Sequence, residues 1–280
     1  MVCAVSGGAD SLALLILAVE AGLAATAVHV DHGLRLGSAG EAEVVADAAA
    51  RLGAGFEARS VVVTPGPNLE ARARVARYAA LPAGVLTGHT ADDLAETMLV
   101  NLLRGAGLDG LAPMRADAPA RADPPTRVVR PLLEVRRPET RALCAWAGFS
   151  PFEDPSNADR RFTRNRVRHE LLPLLASISG RDPVPILVRQ SALLGSEASL
   201  LDELAGALDP TDARAMAAAP EALARRAIRT WLRAGAAECH PPSAAEVERV
   251  LAVIRGEATG CELSGDRTVR RSKGRLTLRD

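Results

Sequence analysis

The sequence predicts an α/β protein: a mostly parallel sheet with helices on both faces, followed by a smaller, mainly helical domain. Three observations predict this fold. Short apolar segments alternate with longer helix-forming ones, polar clusters follow three of the apolar segments, and the alternation ends near residue 180. Strands that alternate with helices form βαβ units, in which the strands lie parallel in one sheet. The 280 residues suffice for one large domain or two modest ones.

Strands are predicted where short apolar runs are bounded by glycine or polar residues. These runs are residues 2–5, 25–30, 57–63, 84–88 and 127–133. Helices are predicted for the segments that follow the strands, and two of them end at Gly53 and Gly148. These segments are residues 11–21, 40–52, 68–81, 91–103 and 137–147, with Asn68 as a suitable N-cap.

The second half of the chain contains a loop, a boundary and a helical domain. Residues 113–127 are rich in proline, alanine and charge, which predicts a flexible loop. The segment GRDPVP at residues 180–185 predicts a boundary between domains at residues 1–179 and 183–280. Residues 261–279 alternate and turn at SGD and SKG, which predicts a small basic hairpin. Helices are predicted between the boundary and this hairpin, near residues 186–208, 212–219, 221–235 and 243–255.

The first polar cluster follows the first predicted strand and opens a predicted helix. Its residues are Ser6, Gly7, Gly8, Ala9, Asp10 and Ser11. A helix N-terminus reached through glycines presents free amides that bind anions, and the two serines add hydroxyl donors. Asp10 would repel a phosphate without a cation between them, so the cluster predicts a polyphosphate with Mg²⁺ held by Asp10. The cluster matches neither the Walker nor the dinucleotide motif, and the alternative is a helix start with incidental glycines.

The second cluster, HVDHGLR at residues 29–35, ends the second predicted strand. His29 and His32 are three apart and have no third ligand nearby in the sequence, which disfavours a metal site. A nucleotide pocket lined by Asp31 and Arg35 fits this cluster better than a metal site does. Ligands of parallel sheets bind at the carboxyl ends of the strands, so we expect this cluster to lie beside the first one.

The third cluster follows the fourth predicted strand and begins with His89 in a turn. Asp92, Asp93 and Glu96 come next, at spacings of three and four that bring carboxylates together on a helix. Acids in the first turn of a helix also suit its dipole, which is the alternative explanation. At the carboxyl edge of the sheet they predict an acidic pocket that holds a cationic substrate and takes a proton from an ammonium group.

The charge is balanced overall but uneven along the chain. The formal net charge is zero, which gives no general attraction to nucleic acid. Residues 159–169 carry five arginines against one aspartate, and residues 266–275 carry five basic groups against one acid. One such run is more often a solvated face, but two of them downstream of a phosphate-binding cluster favour a polyanion partner.

Cysteine spacing and hydropathy indicate the compartment. The four cysteines are far apart, without a C-x-x-C pair, which excludes a zinc knuckle and a disulfide framework. The apolar run LALLILAV at residues 12–19 is too short to span a bilayer and lacks a basic leader. These features predict a cytoplasmic protein without a membrane partner.

Taken together, the motifs resemble those of the tRNA(Ile)-lysidine synthases, a family of PP-loop ATP pyrophosphatases with an adenine-nucleotide hydrolase-like fold. SGGADS without a Walker lysine is typical of the PP-loop superfamily. An ordered set of further blocks, within residues 3–175, is similar to this family in particular. These blocks are HVDHGLR, NLEARARVARY, TGHTADDLAETMLVNLLRGAGLDGLAPM, RPLLEVRR and EDPSNADRRFTRNRVRHELLP.

The resemblance implies a two-step reaction on a tRNA(Ile) with a CAU anticodon. ATP, with Mg²⁺, would activate C2 of the wobble cytidine as an adenylate and release pyrophosphate. The ε-amino group of free L-lysine would then displace AMP and leave lysidine in the tRNA. The reaction forms a C–N bond, so the chain would be a ligase.

The resemblance also implies roles for individual residues. Asp93 and Glu96 would bind the ammonium groups of lysine, and Asp10 would hold Mg²⁺ through ATP. The residues implied at the reacting centre are Asp10, His89, Asp92, Arg164 and Arg168, the arginines stabilising the adenylyl phosphate. The residues implied around ATP are Ser6, Gly7, Gly8, Ala9, Asp10, Ser11, His29, Asp31 and Gly88. The residues implied at the tRNA are Arg35, Arg160, Arg161 and Arg166. The position and charge of the C-terminal domain, residues 183–280, predict that it also contacts the tRNA.

Two departures of the sequence from the family pattern bear on the site and on the start of the fold. Thr90 stands where relatives often have a second histidine, so no role is carried over to it. The chain begins directly at a strand, so we expect the fold to start a few residues upstream. Three other functions stay open: a PP-loop tRNA thiolase, for which paired cysteines are missing, a small-molecule synthetase, and a non-catalytic RNA-binding module.

Overall fold

The computed structural model describes residues 1–31, 38–63, 69–114, 116–120, 126–153, 157, 159–234 and 242–279. Two compact units make up the fold, Met1–Gly195 and Ser196–Asp280. The predicted boundary at residues 180–185 coincides with the end of one helix, where Gly180 adopts the left-handed conformation. The division into compact units comes later, inside the helix that follows.

The first unit is built on a six-stranded sheet with the strand order β3-β2-β1-β4-β6-β5. Its strands are β1 (Val2–Ala4), β2 (Thr26–Asp31), β3 (Gly55–Ser60), β4 (Val85–Thr87), β5 (Asp117–Ala120) and β6 (Thr126–Val129). The five strands from β3 to β6 in this order are parallel, and the edge strand β5 pairs with β6 antiparallel. The predicted parallel sheet is thereby confirmed. Because β1 lies between β2 and β4, the turns that follow these three strands open at one edge.

Helices follow the strands of this unit. They are α1 (Ala9–Glu20), α2 (Ser38–Leu52), α3 (Leu69–Ala79), α4 (Ala91–Leu103), α5 (Leu108–Leu111), α6 (Arg137–Trp146), α7 (Thr163–Arg166) and α8 (Leu172–Ser179). A π-helical turn, Val167–Leu171, joins α7 to α8, and the long helix α9 (Pro183–Gly206) leads into the second unit. The five helices predicted in this part of the sequence are confirmed, and the proposed N-cap Asn68 lies outside the described residues.

Helices cover both faces of the sheet. Successive side chains of a strand point to opposite faces, so each strand contributes to the core on either side. Cys3 and Val5 face α1, α2 and α6 and form the larger core with them. Ala4 faces the other way, into a core with Tyr78 and Leu81 at the end of α3. The central strand is therefore enclosed on both sides, and its carboxyl end is the part left open for a site.

Two predictions about the sheet were wrong in detail. The segment 113–127, predicted as a flexible loop, contains the edge strand β5 in its described part. Pro119 lies opposite Arg127 there, which is possible because an edge strand needs no amide donor on its outer side. The third strand, predicted at 57–63, begins and ends earlier, since pairing with β2 starts at Gly55. The three valines at positions 61–63, which the prediction included, come after the strand, and Val62 is exposed.

The second unit combines helices with a small antiparallel sheet. Besides the end of α9 it contains α10 (Ala213–Ala218), α11 (Glu221–Ala234), α12 (Ala244–Arg255), β7 (Gly260–Glu262), β8 (Thr268–Ser272) and β9 (Arg275–Arg279). The predicted helices are confirmed, but the predicted hairpin has one strand too few. SGD and SKG each form a turn, with Asp266 and Lys273 at positive φ, so three strands result. Val269 and Leu276 on the inner face of the sheet pack into the core of this unit.

No single helix among the described residues is long and apolar enough to cross a membrane. One pair of helical segments, Thr163–Ser179 and Pro183–Gly206, reaches the required length and hydropathy only together and is bent by 96°. The apolar run at residues 12–19 belongs to α1, where most of its side chains are buried in the larger core.

Candidate active site

The turn after β1 forms the N-terminus of α1, with Gly8 as the N-cap residue and no side-chain cap. The amides of residues 7–10 have no hydrogen-bond partner within the described part of the chain. The Ser6 amide donates to Ser11 Oγ at 3.1 Å, and this hydroxyl donates to the Gly8 carbonyl at 2.9 Å, which holds the turn in shape. The turn thus presents free donors at the positive end of a helix, the arrangement that binds phosphate.

Two glycines are required by the geometry of this turn. Gly7 has a φ of +81°, a conformation that strains residues with a side chain. Gly88, directly after β4, packs against the backbone of Asp10 and Ser11. A Cβ atom at residue 88 would lie 2.5 Å from the Asp10 carbonyl oxygen. The structure therefore gives Gly88 a packing role, since it lets the third polar cluster approach the first.

Asp10 is held by two residues of α6. Its carboxylate accepts a hydrogen bond from the Thr140 hydroxyl, and Arg137 Nε lies 3.5 Å from Asp10 Oδ2. Burial raises the pKa of Asp10; the hydrogen bond from Thr140 opposes this effect, and the nearby Asp93 adds to it. A carboxylate whose ionised form is disfavoured in this way gains from a bound cation.

Asp92 faces the segment that leads into α6. Arg136 donates to both carboxylate oxygens at 3.1 Å, and the amide of Arg137 donates to Oδ2 at 2.8 Å. Burial acts to raise the pKa of Asp92, but these hydrogen bonds outweigh it and lower the pKa. Asp92 thus positions Arg136 and Arg137, and the role at the reacting centre that the resemblance implies for it stays a prediction.

Asp93 and Thr90 form a capping box at the start of α4. The amide and the hydroxyl of Thr90 donate to Asp93 Oδ2 at 3.0 and 3.1 Å. The other carboxylate oxygen, Oδ1, accepts from Arg137 at 3.0 Å and from Arg164 at 3.1 Å. Thr90 therefore caps the helix, and Oδ1 is the oxygen of Asp93 that meets the arginines.

Glu96 lies one turn further along α4 and is 0% exposed. Its Oε1 accepts from Arg168 at 2.7 Å and from Arg137 at 2.9 Å, and its Oε2 accepts from Arg164 at 2.9 Å and from Arg168 at 3.0 Å. Burial acts to raise the pKa of Glu96, but the hydrogen bond from Arg168 and the charges of all three arginines lower it to about 2. The two carboxylates expected to bind lysine are thus paired with arginines in this structure.

Arg137 connects the turn to the acidic helix, a role that we did not assign from the sequence. Its guanidinium lies 3.5 Å from Asp10, 3.0 Å from Asp93 and 2.9 Å from Glu96. Burial acts to lower the pKa of Arg137, but these carboxylates, Glu96 first, raise it, so the group stays charged. An arginine in the first turn of a helix opposes the helix dipole. This unfavourable position is the sequence signal from which acidic partners could have been inferred.

His89 is a neutral group in this site. Its Nδ1 lies 2.8 Å from Thr87 Oγ1. Burial lowers the pKa of His89 to about 3; Asp93 opposes this, and nearby positive charges add to it. These charges belong to Arg74, Arg130 and Arg77. They come from two blocks that support the family resemblance, NLEARARVARY and RPLLEVRR, to which we assigned no individual roles.

The second cluster is only partly described. His29 is 2% exposed, and its Nδ1 lies 3.0 Å from the Val5 carbonyl oxygen, so the ring is fixed at the end of β1. Asp31 ends β2 beside it. Arg35, expected at the tRNA, lies outside the described residues.

The remaining arginines of the basic run are exposed and pair locally. Arg160 and Arg166 both contact Glu170, and Arg161 contacts Asp159. The basic run therefore divides in two: Arg164 and Arg168 point to Glu96, while these three stay at the surface. Exposed pairs of this kind stabilise a protein little and leave the arginines available to a partner.

A parallel sheet whose first turn is Ser-Gly-Gly-x-Asp-Ser, with free amides and a neighbouring acidic helix, defines a PP-loop ATP-binding protein. The model of the PP-loop domain matches residues 1–175, and that of the TilS substrate binding domain matches residues 212–277. The chain is 42% identical to the tRNA(Ile)-lysidine synthase of Nocardia farcinica, over 99% of this chain and 90% of that one. It is 41% identical to the enzyme of Mycobacterium leprae, over 98% and 89% of the two chains. The chain belongs to the tRNA(Ile)-lysidine synthase family, which are ATP-dependent ligases.

A solved structure shows the same fold in a different enzyme. The U34-tRNA thiolase NcsA from Methanococcus maripaludis, with its 4Fe-4S cluster, has a TM-score of 0.52 and 16% identity, over 69% of this chain and 72% of that one. In this chain Cys3 and Cys144 are fully buried, and burial raises the pKa of each thiol to about 11. Both thiols are therefore protonated at neutral pH, which does not favour the thiolase alternative.

Proposed function

We propose that the chain joins free L-lysine to C2 of the wobble cytidine, C34, in a tRNA(Ile) with a CAU anticodon. ATP first activates the C2 oxygen as an adenylate and pyrophosphate leaves. The ε-amino group of lysine then attacks C2 and AMP leaves, which forms lysidine. The observation that carries the proposal is the position of Arg137, which contacts Asp10 in the turn as well as Asp93 and Glu96 on α4. A nucleotide site and a site for a cationic substrate are thus neighbours, as the joining reaction requires.

The turn over residues 6–11 supports binding of the ATP phosphates through its free amides. Among the described residues no group of three or more His, Cys, Asp and Glu side chains could hold a metal ion. Mg²⁺ in nucleotide sites needs only one or two carboxylates, because phosphate oxygens and water complete its shell. Asp10 suits that task, with Thr140 positioning its carboxylate. The ion would neutralise charge on the phosphates as pyrophosphate leaves.

The arginines around Glu96 support an order of events. An ammonium group of lysine can reach Asp93 and Glu96 only if at least one arginine gives up its place. Arg164 and Arg168 are the candidates, since an adenylyl phosphate beside them would attract the same guanidinium groups. Formation of the adenylate would then free the carboxylates for lysine. With all three arginines in place the pKa of Glu96 is about 2, so its carboxylate is ionised and suited to hold the ammonium group once an arginine has moved.

The outer face of the C-terminal sheet supports tRNA binding. Alternate residues of β8 and β9 share a face, and the register places Arg270 opposite Thr277 and Arg275 opposite Ser272. Arg279 lies on the same face at the end of β9, and these arginines are exposed. We define the arginine face as Arg270, Arg275 and Arg279. An exposed sheet face with arginines and hydroxyl groups suits the phosphates of an RNA backbone.

The test of the function is incorporation of lysine into RNA. The protein is incubated with ATP, Mg²⁺, radiolabelled L-lysine and a tRNA(Ile) transcript with a CAU anticodon, or the same transcript with uridine at position 34. Label is expected only in the first RNA, together with release of pyrophosphate. Asp10→Ala should abolish both, whereas Asp47→Ala, which removes an exposed carboxylate on α2, should change neither. Binding of the RNA without any label would favour a non-catalytic RNA-binding module instead.

A further inference from the structure

A cavity of about 230 Å³ adjoins Glu96, between α4, the start of α6 and the stretch from the π-helical turn to the start of α9. Its volume corresponds to about eight water molecules. The charged residues that line it are Asp92, Glu96, Arg136, Arg137, Arg168 and Asp182. One wall is apolar and includes Leu172 and Val184, both buried. The cavity therefore combines charges of both signs with an apolar wall.

We infer that this cavity receives the substrate amino acid and that Asp182 binds its α-ammonium group. The inference rests on the proposed function and deepens it, because it names a residue that recognises the end of lysine that does not react. Free lysine carries two ammonium groups and one carboxylate on a stem of four methylene groups. The lining offers a partner for each part: carboxylates for the ammonium groups, arginines for the carboxylate, and an apolar wall for the stem.

The orientation follows from the different exposure of two acids that line the cavity, Glu96 and Asp182. Glu96 is fully buried, and Arg137 links it to Asp10 of the ATP turn, so the reacting ε-amino group belongs at this end. The side chain of Asp182 is 48% exposed, which places it at the entrance. The α-ammonium group therefore belongs at Asp182, and the apolar wall lies along the stem.

Asp182 has the contacts that this role requires. Its Oδ1 accepts from the Val184 amide at 2.9 Å and so caps the start of α9, while Oδ2 pairs with Arg136. Arg136 is also held by both oxygens of Asp92, so it stays in place when Asp182 takes a second cation. Arg136 then lies beside the α-ammonium group, where it can receive the α-carboxylate of the same lysine.

The test uses Asp182→Asn, which keeps an oxygen to cap α9 and removes the charge. The KM for lysine should rise about tenfold or more, the range for a lost hydrogen bond between charged groups. The KM for ATP and the single-turnover release of pyrophosphate without lysine should stay unchanged. Glu197→Gln, an exposed charge removal on the same helix, should leave all three at wild-type values. 6-Aminohexanoate, which lacks the α-amino group, should compete with lysine equally well in the wild type and in Asp182→Asn.

The outcomes separate this inference from the proposed function. A wild-type protein that never labels the tRNA overturns the proposed function itself. Normal labelling with an unchanged KM for lysine in Asp182→Asn overturns only the role of Asp182. A parallel loss of lysine-independent pyrophosphate release would mean that Asp182 acts through the fold, and this result also overturns the inference.

Discussion

Arg168 Nε lies 2.7 Å from Glu96 Oε1, and Arg168 Nη2 lies 3.0 Å from Glu96 Oε2, across 72 residues of sequence. This pair joins the basic run to the acidic helix inside the first unit, where Glu96 is fully buried. Arg137 and Arg164 complete the ring of cations around the same carboxylate. A charged group at this depth is tolerated only because its partners are in place.

Removing the charge of Glu96 should therefore destabilise the protein strongly. Glu96→Gln leaves three arginines without their shared anion, and we expect the free energy of unfolding to fall by about 3 kcal/mol or more. Glu170→Gln is the matched control, because Glu170 also pairs with two arginines but at the surface, where water and salt screen the pair and it contributes little. Urea unfolding of both variants measures the difference. Equal losses would mean that burial of Glu96 does not matter to its pairing.

The neutral state of His89 should appear in the pH dependence of stability. Its pKa is about 3 in the folded protein against 6.5 ordinarily, so the unfolded chain binds the additional proton between these values. The stability due to neutral His89 is therefore complete above pH 6.5 and is lost as the pH falls toward 3. His89→Gln should flatten the fall in unfolding free energy between pH 6 and 4, by at most about 1.4 kcal/mol per pH unit. Denaturant titrations across this range test it, with the exposed His169→Gln as control.

Thr140 should matter to the first chemical step through its hydrogen bond to Asp10, the residue that we propose holds Mg²⁺. Thr140→Val keeps the shape of the side chain but removes the hydrogen bond that orients the carboxylate. We expect the rate of pyrophosphate release to fall by about tenfold to a hundredfold, since misplaced catalytic groups cost this much. Thr140→Ser, which keeps the hydroxyl, should stay near the wild-type rate. If valine and serine gave the same rate, the hydroxyl would have no positioning role.

Gly88→Ala should disturb the contact between two turns. The added methyl group would lie 2.5 Å from the Asp10 carbonyl oxygen, so the backbone must move apart. We expect a loss of about 1–3 kcal/mol in unfolding free energy and weaker ATP binding. Gly40→Ala provides the control, because its methyl group meets nothing within 4 Å and should not lower the unfolding free energy. Thermal unfolding and nucleotide titration distinguish the two variants.

The arginine face should contribute to tRNA affinity through counterion release. In Arg270→Ala and Arg279→Ala the slope of log affinity against log salt concentration should decrease by about one each. Binding is measured by filter retention of labelled tRNA between low and physiological salt. Arg214→Ala, an exposed charge removal on α10 in the same unit, should leave the slope unchanged. Unaltered slopes in both arginine-face variants would remove this surface from the tRNA interface.

Elements with a strong local pattern could be predicted from the sequence, and those without one could not. Helix α4 begins and ends at the predicted residues because its acids, its cap and its apolar face are all local signals. Strand β5 was missed because a proline-rich edge strand has neither β propensity nor alternation. The predicted position of strand β3 was too late in the chain. Most of its side chains are exposed, so the strand has no apolar pattern of its own, and the apolar residues that follow it were included instead.

The sequence by itself determined the parallel sheet, the phosphate-binding turn and the acidic helix, because each is predicted by a pattern among neighbouring residues of the chain. It also determined the family, through motifs in a fixed order. Only the tertiary structure decided that Arg137 joins Asp10 to Glu96, and that Arg164 and Arg168 face Glu96 while their neighbours stay at the surface. Such pairs link residues that are 41 to 127 positions apart. The packing of the elements selects these pairs, because the sequence does not show which arginine will meet which carboxylate.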